Sequence, residues 1–317
     1  MSKYLVTGGA GFIGSNIVER LVAEGKDVRV FDDLSTGFLD NINPFMDKIE
    51  FQKGDIRSKE DMTKALLNVD YVIHQAALRS VAKSVEAPIA TNDVNVNGTL
   101  NLLICAKEAR VKRVVYASSS SAYGDCDQFP QGEDITPAPI SPYGVSKLAA
   151  EHYCYVFNTT MGLETVSLRY FNVFGPRQNP ESKYSAVIPA FISRLSKNEP
   201  CLIDSDGKQS RDFTFVANVV DANLAACKTP EAAGMFFNIA CGEDHSVLDV
   251  ANALQEIMGK DIKSVHGPKR PGDALRTYAD IGRMRNILHV EPRVKLREGL
   301  ERTVAWFAEK DKKGKGK

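Results

Sequence analysis

The 317-residue sequence predicts an α/β fold in which a doubly wound parallel sheet is followed by a smaller C-terminal lobe. In the first half, short apolar runs typical of buried strands alternate with amphipathic segments typical of helices, such as 65–67 and 100–104. After about Phe174 the chain is richer in prolines, glycines and shorter elements. We therefore expect one domain over residues 1–173, to which the chain returns around 212–240, and a smaller lobe formed mainly by 174–317.

A glycine-rich turn follows the first predicted strand, residues 4–6, and precedes a helix-like segment at 15–21. Gly8 suits a tight strand-to-helix turn, Gly11 allows the main chain to approach a pyrophosphate, and Gly14 allows the helix to lie close to the sheet. The N–H groups at the start of that helix would face the phosphates. The turn in this context predicts a Rossmann-like dinucleotide site.

The second predicted strand, residues 28–31, ends at Asp32. A carboxylate there can accept hydrogen bonds from both ribose hydroxyls of an adenosine and would repel a 2′-phosphate. The expected cofactor is therefore NAD and not NADP. Further strands are predicted at 49–52, 71–74, 114–117 and 165–168. Because ligands collect at the carboxyl ends of parallel strands, one crevice is expected to be lined by the polar clusters 32–33, 54–57, 74–77 and 118–121.

A Tyr-x-x-x-Lys pattern, Tyr143 and Lys147, lies at the start of another predicted helix. Residues four apart share a helix face, so the ammonium of Lys147 can lie near the phenol of Tyr143. A tyrosine normally has a pKa of about 10. The neighbouring lysine and the positive charge of an oxidised nicotinamide would favour the tyrosinate. Tyr143 is therefore a candidate base.

Composition and charge limit the classes of partner. Lys plus Arg and Asp plus Glu both total 40, so the net charge gives no reason to expect nucleic acid or an anionic membrane as a partner. The six cysteines are scattered without close pairs, which favours reduced thiols over disulfides or a metal site. Residues 1–3 run directly into the first strand, and no apolar stretch approaches membrane-spanning length. A cytoplasmic location is the expectation, with residues 310–317 forming a solvated tail.

Taken together, these motifs resemble the extended short-chain dehydrogenases/reductases and, within them, the nucleotide-sugar 4-epimerases. The resemblance covers nearly the whole chain. Besides the glycine turn and the Tyr143/Lys147 pair, it rests on segments 32–37, 54–56, 74–77, 95–99, 118–124, 168–177, 211–213 and 270–273.

The resemblance implies roles for individual residues. Ser119 would complete a catalytic triad with Tyr143 and Lys147, Asn95 would hydrogen-bond in the cofactor region, and Arg79 would place a cation near the pyrophosphate. Asp55 and Ile56 would flank the adenine. The residues implied to bind NAD are Gly8, Gly11, Phe12, Ile13, Gly14, Asp32, Asp33, Leu34, Ser35, Thr36, Gly37, Asp55, Ile56, Gln75, Ala76, Ala77, Arg79, Asn95, Tyr143, Lys147, Tyr170 and Phe171.

The resemblance also implies a nucleotide-sugar site. The guanidinium groups of Arg211 and Arg270 can hold a pyrophosphate through charge-assisted hydrogen bonds, and Asp273 can accept the ribose hydroxyls of a uridine. The residues implied to bind the substrate are Arg79, Ser119, Ser120, Ser121, Tyr143, Asn172, Ala186, Val187, Arg211, Arg270, Asp273 and Thr277.

The reaction implied is inversion at C4 of a UDP-sugar. Tyr143 would remove the 4-hydroxyl proton as the C4 hydride passes to NAD, and the 4-keto sugar would rotate before the hydride returns to its opposite face. In related dehydratases an Asp-Glu pair follows the catalytic Ser or Thr, and in decarboxylases a Glu lies nearby. This chain has Ser120 and Ser121 there, which favours epimerisation.

Thr277 bears on the identity of the sugar. It lies four residues after Asp273, where a tyrosine goes with exclusion of N-acetylated sugars in the resembling 4-epimerases. A small residue there, together with segment 184–189, favours UDP-N-acetylglucosamine and UDP-N-acetylgalactosamine, with some activity on UDP-glucose and UDP-galactose. UDP-glucuronate stays open as an alternative, because Arg79 and Lys83 could serve a carboxylate.

Two further expectations concern other classes of protein and assembly. Other nucleotide-sugar-modifying enzymes of the family share the triad and stay open as alternative functions. A nonenzymatic NAD-binding scaffold is a less favoured alternative, because Tyr143 and Lys147 are both present. The family implies a homodimer formed through the helices that contain 100–104 and 148–155.

Overall fold

The computed structural model describes residues 2–180, 186–268 and 275–314. The strands in these ranges are β1 (Lys3–Thr7), β2 (Asp27–Asp32), β3 (Glu50–Lys53), β4 (Tyr71–His74), β5 (Arg113–Ser119), β6 (Glu164–Tyr170), β7 (Asn172–Phe174), β8 (Leu202–Asp204), β9 (Ser210–Arg211), β10 (Phe213–Phe215), β11 (Phe236–Ile239), β12 (His245–Ser246), β13 (Val265–Gly267) and β14 (Arg276–Thr277).

The helices alternate with these strands over the first two thirds of the chain. They are α1 (Phe12–Ala23), α2 (Lys59–Ala65), α3 (Val81–Glu86), α4 (Pro88–Asn92), α5 (Gly98–Glu108), α6 (Pro142–Met161), α7 (Val187–Ser196), α8 (Val216–Lys228), α9 (Val247–Met258), α10 (Gly282–Ile287) and α11 (Leu296–Gly314). A π-helical segment, Asp93–Asn97, joins α4 to α5.

The main sheet of the described chain has seven parallel strands in the order β11-β6-β5-β4-β1-β2-β3. Successive residues of its strands face opposite sides. In β5, Val115 and Ala117 join the core beneath α1 and α8, whereas Val114 and Tyr116 join the core beneath α2, α5 and α6. Two helical layers therefore cover the sheet, which confirms the expected Rossmann-like, doubly wound α/β fold.

The second half of the chain contributes to both parts of the molecule. Helix α8 packs beside α1, and β11 pairs with β6 at the edge of the main sheet. The remaining short strands and helices α7, α9 and α11 enclose a third apolar core, which includes Phe174, Phe191 and Leu254. This smaller lobe lies at the carboxyl end of β6. The boundary at residue 174 stays a prediction.

The cysteines and helices carry two further findings. All six cysteines, each within the described ranges, are free thiols, and all but Cys126 are buried. Within residues 2–180, 186–268 and 275–314, every helix is too short or too polar to cross a bilayer.

Candidate active site

A cleft opens at the carboxyl ends of β1, β2, β4 and β5, with about 1070 Å³ of space between its walls and the open solvent at its mouth. Most of the residues expected at the cofactor line it, namely Gly8, Gly11, Phe12, Ile13, Gly14, Asp32, Asp33, Ser35, Thr36, Gly37, Asp55, Ile56, Gln75, Ala76, Ala77, Arg79, Tyr143, Lys147 and Tyr170. We call it the cofactor cleft.

The glycine turn at the floor of the cofactor cleft leaves no room for side chains. A Cβ atom on Gly14 would lie 2.2 Å from the carbonyl oxygen of Gly8. Gly8 has φ +65°, and a Cβ there would lie 2.7 Å from the backbone nitrogen of Ala76. Helix α1 begins after Gly11, and no side chain of the described ranges caps its first turn. The free backbone N–H groups of this first turn therefore face the cleft, where they can donate hydrogen bonds to a pyrophosphate.

Asp32 lies at the end of β2 with its carboxylate fixed by the backbone. Its Oδ2 accepts a hydrogen bond from the nitrogen of Ala10 at 2.9 Å, and its Oδ1 accepts one from Leu34 at 2.8 Å. Burial raises the pKa of Asp32, while these two bonds oppose the rise. Each carboxylate oxygen can accept a second hydrogen bond, so the pair can still bind the two hydroxyls of a ribose. The site fits NAD.

Tyr143 and Lys147 line the inner wall of the cofactor cleft, and Ser119 lies beside them at the end of β5. Ser141 caps α6 by accepting a hydrogen bond from Gly144, so Tyr143 lies in the first turn of that helix. Ser119, which ends β5, lies close enough to Tyr143 for its hydroxyl to stabilise the ionised phenol. The ammonium of Lys147 lies 5.9 Å from the centre of the Tyr143 ring and donates to the carbonyl oxygen of Ala117 at 2.9 Å.

Burial sets the ionisation of this group. It lowers the pKa of Lys147 to about 7. It also raises the pKa of Tyr143, and the hydrogen bond from Ser119 and the charge of Arg79 oppose that rise without cancelling it. Within the chain, Ser119 and Arg79 are the groups that favour the ionised form of Tyr143. The role of Lys147 in favouring the tyrosinate stays a prediction.

Three of the residues expected at the cofactor do not line the cleft. Phe171 is 2% exposed and packs in the core beneath α1, and Leu34 packs against the same core. Asn95, in the π-helical segment, is 1% exposed. Its amide bonds the nitrogen and the carbonyl oxygen of Leu78 and donates to the hydroxyl of Ser146. It therefore fixes the loop at Leu78 and the start of α6.

A second cleft, of about 900 Å³, lies in the smaller lobe and is called the lobe cleft below. Four of the expected substrate residues line it, together with apolar side chains such as Phe191 and Leu202. The four are Asn172, Ala186, Val187 and Arg211. Tyr170 lines the cofactor cleft and Asn172, two residues later, lines the lobe cleft, so the chain brings the two clefts together at this point.

The other expected substrate residues are distributed around these clefts. Thr277 is in register with Arg211 across β9 and β14, and its Oγ1 lies 3.4 Å from Oδ1 of Asn172. Ser120 and Ser121 form a 3₁₀ turn, Ser120–Ala122, directly after β5. Arg270 and Asp273 lie outside the described residues, as do positions 184 and 185 of segment 184–189.

The sequence reading missed a buried polar group behind the triad. Ser118, in β5, lines the cofactor cleft and donates a hydrogen bond to Glu151 at 2.7 Å. Glu151 in turn pairs with Arg169. Glu151 lies four residues after Lys147, and that spacing is a signal that would place it on the catalytic face of α6. Within the described ranges, no group of three or more His, Cys, Asp or Glu side chains is arranged to hold a metal ion.

The chain is similar to known proteins over nearly its full length. Residues 4–240 match the NAD dependent epimerase/dehydratase family. The UDP-glucose 4-epimerase of Mycolicibacterium smegmatis is 37% identical over 313 residues, which are 97% of this chain and 99% of that protein.

Solved structures agree with this similarity. The UDP-N-acetylglucosamine 4-epimerase from Methanobrevibacter ruminantium in complex with UDP-N-acetylmuramic acid is 37% identical and has a TM-score of 0.93, with 98% of this chain and 99% of that chain covered. The UDP-glucose 4-epimerase of Thermus thermophilus in complex with NAD is 37% identical with a TM-score of 0.88, and 96% and 99% are covered. The chain therefore belongs to the NAD dependent epimerase/dehydratase family, which confirms NAD as its cofactor and the nucleotide-sugar 4-epimerase type as its enzyme class.

Proposed function

We propose that the protein inverts the configuration at C4 of a UDP-sugar, interconverting UDP-N-acetylglucosamine and UDP-N-acetylgalactosamine, with additional activity on UDP-glucose and UDP-galactose. The observation that carries this proposal is that Tyr143 and Lys147 meet in the cofactor cleft with Ser119 beside Tyr143, next to the lobe cleft that Asn172 and Arg211 line. Relatives that act on UDP-glucose or UDP-N-acetylglucosamine support the substrate class.

In this reaction the triad moves one proton at the sugar 4-oxygen. In its ionised form, the phenolate oxygen of Tyr143 accepts the proton of the 4-hydroxyl, becomes a phenol, and returns the proton after the sugar has presented its other face. Ser119 hydrogen-bonds the same sugar oxygen. Lys147, in its protonated form, stabilises the negative charge on the phenolate. NAD, when bound, supplies a hydride acceptor and then a hydride donor. Ser120 and Ser121 carry no carboxylate that could eliminate water or drive decarboxylation.

The lobe cleft provides the anchor about which the sugar turns. Arg211 is 8% exposed, so its guanidinium can bind a diphosphate with little competition from water. Apolar side chains of the same cleft, including Phe191 and Leu202, supply a surface for a nucleobase. The proposed contacts of Arg270 with the diphosphate and of Asp273 with the uridine ribose stay predictions.

The proposal is tested with purified protein and no added cofactor. UDP-N-acetylglucosamine, UDP-glucose and UDP-glucuronate are incubated separately, and the anomeric protons are followed by NMR. Appearance of UDP-N-acetylgalactosamine at a rate equal to or above that of UDP-galactose is expected. Conversion of UDP-glucuronate alone would replace the proposed substrate, and no conversion of any of the three after NAD is added would end the 4-epimerase proposal for these sugars.

A further inference from the structure

A buried ion pair lies behind the triad, two turns along α6 from Tyr143. Glu151 and Arg169 are 4% and 1% exposed. The Nε of Arg169 lies 3.0 Å from Oε2 of Glu151, and Nη2 bonds the other carboxylate oxygen. The guanidinium also lies over the rings of Tyr123 and Phe236, with 4.7 and 4.2 Å to their centres. Removing two charges from water is costly, so stability alone is a weak reason for such a pair, and fixing one register is a better attested one.

The pair is joined to the strand that carries the catalytic serine. Oε2 of Glu151 accepts a hydrogen bond from Ser118, the residue before Ser119. Arg169 lies in β6 directly opposite Ser118 in the parallel register of β5 and β6. One carboxylate on α6 is thus bonded to both neighbouring strands at the point where they reach the cofactor cleft.

Helix α6 meets the end of β5 through a series of regularly spaced contacts. Tyr143 lies beside Ser119, whose hydroxyl stabilises the ionised phenol. Lys147 donates to the carbonyl oxygen of Ala117, and Glu151 accepts from Ser118. Residues four apart lie on one face of a helix, so these contacts form a single line along α6. A shift of the helix along the strand would disturb all of them together.

We propose that Glu151 and Arg169 are positioning residues that fix α6 against the end of β5, so that Tyr143 and Lys147 meet Ser119 and Ala117 in the reactive arrangement. The inference rests on the proposed function for its kinetic consequence. It does not need the pair to touch substrate or cofactor. Because the geometry of reacting groups must be held to within about an ångström, a small displacement of Tyr143 lowers the rate of the chemical step by up to about 100-fold.

The same two strands offer a matched control. At the opposite end of the β5 and β6 pairing, Arg113 is in register with Glu164 and forms an ion pair with it. Arg113 is buried, but its partner is exposed and the pair lies at the amino ends of the strands, away from the cleft. Glu164→Gln therefore removes a β5 to β6 ion pair without touching the contacts of α6.

The test compares turnover and melting temperature of Glu151→Gln, Glu164→Gln and the double variant Glu151→Leu/Arg169→Met, all as NAD-loaded enzyme. The double variant removes both charges, so it leaves no unpaired buried ion even where the single variant fails to fold. We expect kcat to fall about 10- to 100-fold in Glu151→Gln and in the double variant, with KM within about twofold of the wild type. Glu164→Gln should keep its kcat. A double variant with the melting temperature and kcat of the wild type would show that the ion pair only supports the fold.

A second readout decides the inference even if the substrate is wrongly assigned. The pKa of Tyr143 is measured by NMR of tyrosine labelled at Cζ, with Tyr143→Phe used to assign the signal. Because the hydrogen bond from Ser119 holds that pKa down, loosening of α6 should raise it in the double variant. An unchanged pKa there would overturn the positioning role. Failure of the wild type to convert any UDP-sugar would instead count against the proposed function.

Discussion

The Nδ1 atom of His74 lies 2.7 Å from the hydroxyl of Thr7, directly below the glycine turn. On the other side of the ring, Nε2 lies 3.0 Å from the hydroxyl of Thr99, which donates its own proton to the carbonyl of Asn95. A hydroxyl has one proton, so Thr99 must accept from Nε2–H, and in the neutral ring Nδ1 then accepts from Thr7. His74 thus joins Thr7 at the end of β1 to Thr99 in α5.

This arrangement predicts that His74 stays neutral in mild acid. Burial, with a smaller effect from the charge of Lys147, lowers the pKa of His74 to about 3. Between pH 6.5 and 3, His74 therefore binds a proton in the unfolded chain but stays unprotonated in the folded protein. The contribution of His74 to stability is complete above pH 6.5 and is lost as the pH falls toward 3.

The measurement is NMR of ¹⁵N-labelled histidine, with His74→Asn used to assign the ring signals. We expect the signals of the neutral Nε2–H form from pH 8 down to pH 5, the range over which an ordinary imidazole titrates. Titration of His74 near pH 6 would contradict both the tautomer and the burial argument.

We expect the buried ammonium of Lys147 to be required for turnover but to lower the free energy of unfolding. Its pKa is lowered by burial from 10.5 to about 7. Between pH 7 and 10.5 the unfolded chain binds the proton that folded Lys147 loses, so the free energy of unfolding should rise with pH in this range. Lys147→Met should remove that dependence and raise the melting temperature at pH 7, by about 2 to 4 °C for each kcal/mol gained. Turnover should be lost.

The control for this experiment is Lys107→Met, which changes an exposed lysine on α5. All samples contain saturating NAD, because a change in cofactor binding would itself move the melting temperature. If the free energy of unfolding depends on pH equally in the wild type and in Lys147→Met, burial of the Lys147 amine does not lower the stability of the fold.

The parts of the site that could be predicted from sequence are those fixed by local spacing. The glycine turn, Asp32 at a strand end and the Tyr143/Lys147 pair each depend on residues close together in the chain. The pairing of Glu151 with Arg169 depends on where a helix and a strand meet, and no local pattern gives that contact. Alternation along β6 does not distinguish Tyr170, which lines the cofactor cleft, from Phe171, because both belong to the same apolar core.

Tyr143→Phe tests the proposed base. The change removes one oxygen at a half-buried position, so NAD and UDP-sugar should still bind with affinities close to those of the wild type. Turnover should fall about 100- to 10,000-fold, because proton transfer at the 4-oxygen loses its acceptor. Tyr71→Phe, at the amino end of β4, removes the same atom far from the clefts and should leave turnover intact. Full activity of Tyr143→Phe would exclude it as the base.

Thr277→Tyr tests the predicted width of the sugar pocket. Thr277 lies beside Asn172, which lines the lobe cleft, so a tyrosine at 277 would occupy space that a 2-acetamido group needs. The kcat/KM for UDP-N-acetylglucosamine should fall at least about 10-fold more than that for UDP-glucose, the scale of a steric exclusion in a pocket. Thr277→Ser, which keeps the small volume, is the control. Equal losses on both sugars would remove Thr277 as the determinant.

The expected homodimer predicts a specific effect of charge on the surface of α5 and α6. Ile104, Tyr155 and Val156 are 37%, 54% and 42% exposed, and all lie on these two helices. Apolar side chains on adjacent helices form a surface that a second copy of the chain could bury. Ile104→Glu combined with Tyr155→Glu should convert a dimer to a monomer in sedimentation velocity, because an interface cannot bury unpaired carboxylates. Leu67→Glu changes a 58% exposed leucine just after α2 and should leave the dimer intact. A monomeric wild type would contradict the expected dimer. Dissociation caused by Leu67→Glu alone would place the interface away from α5 and α6.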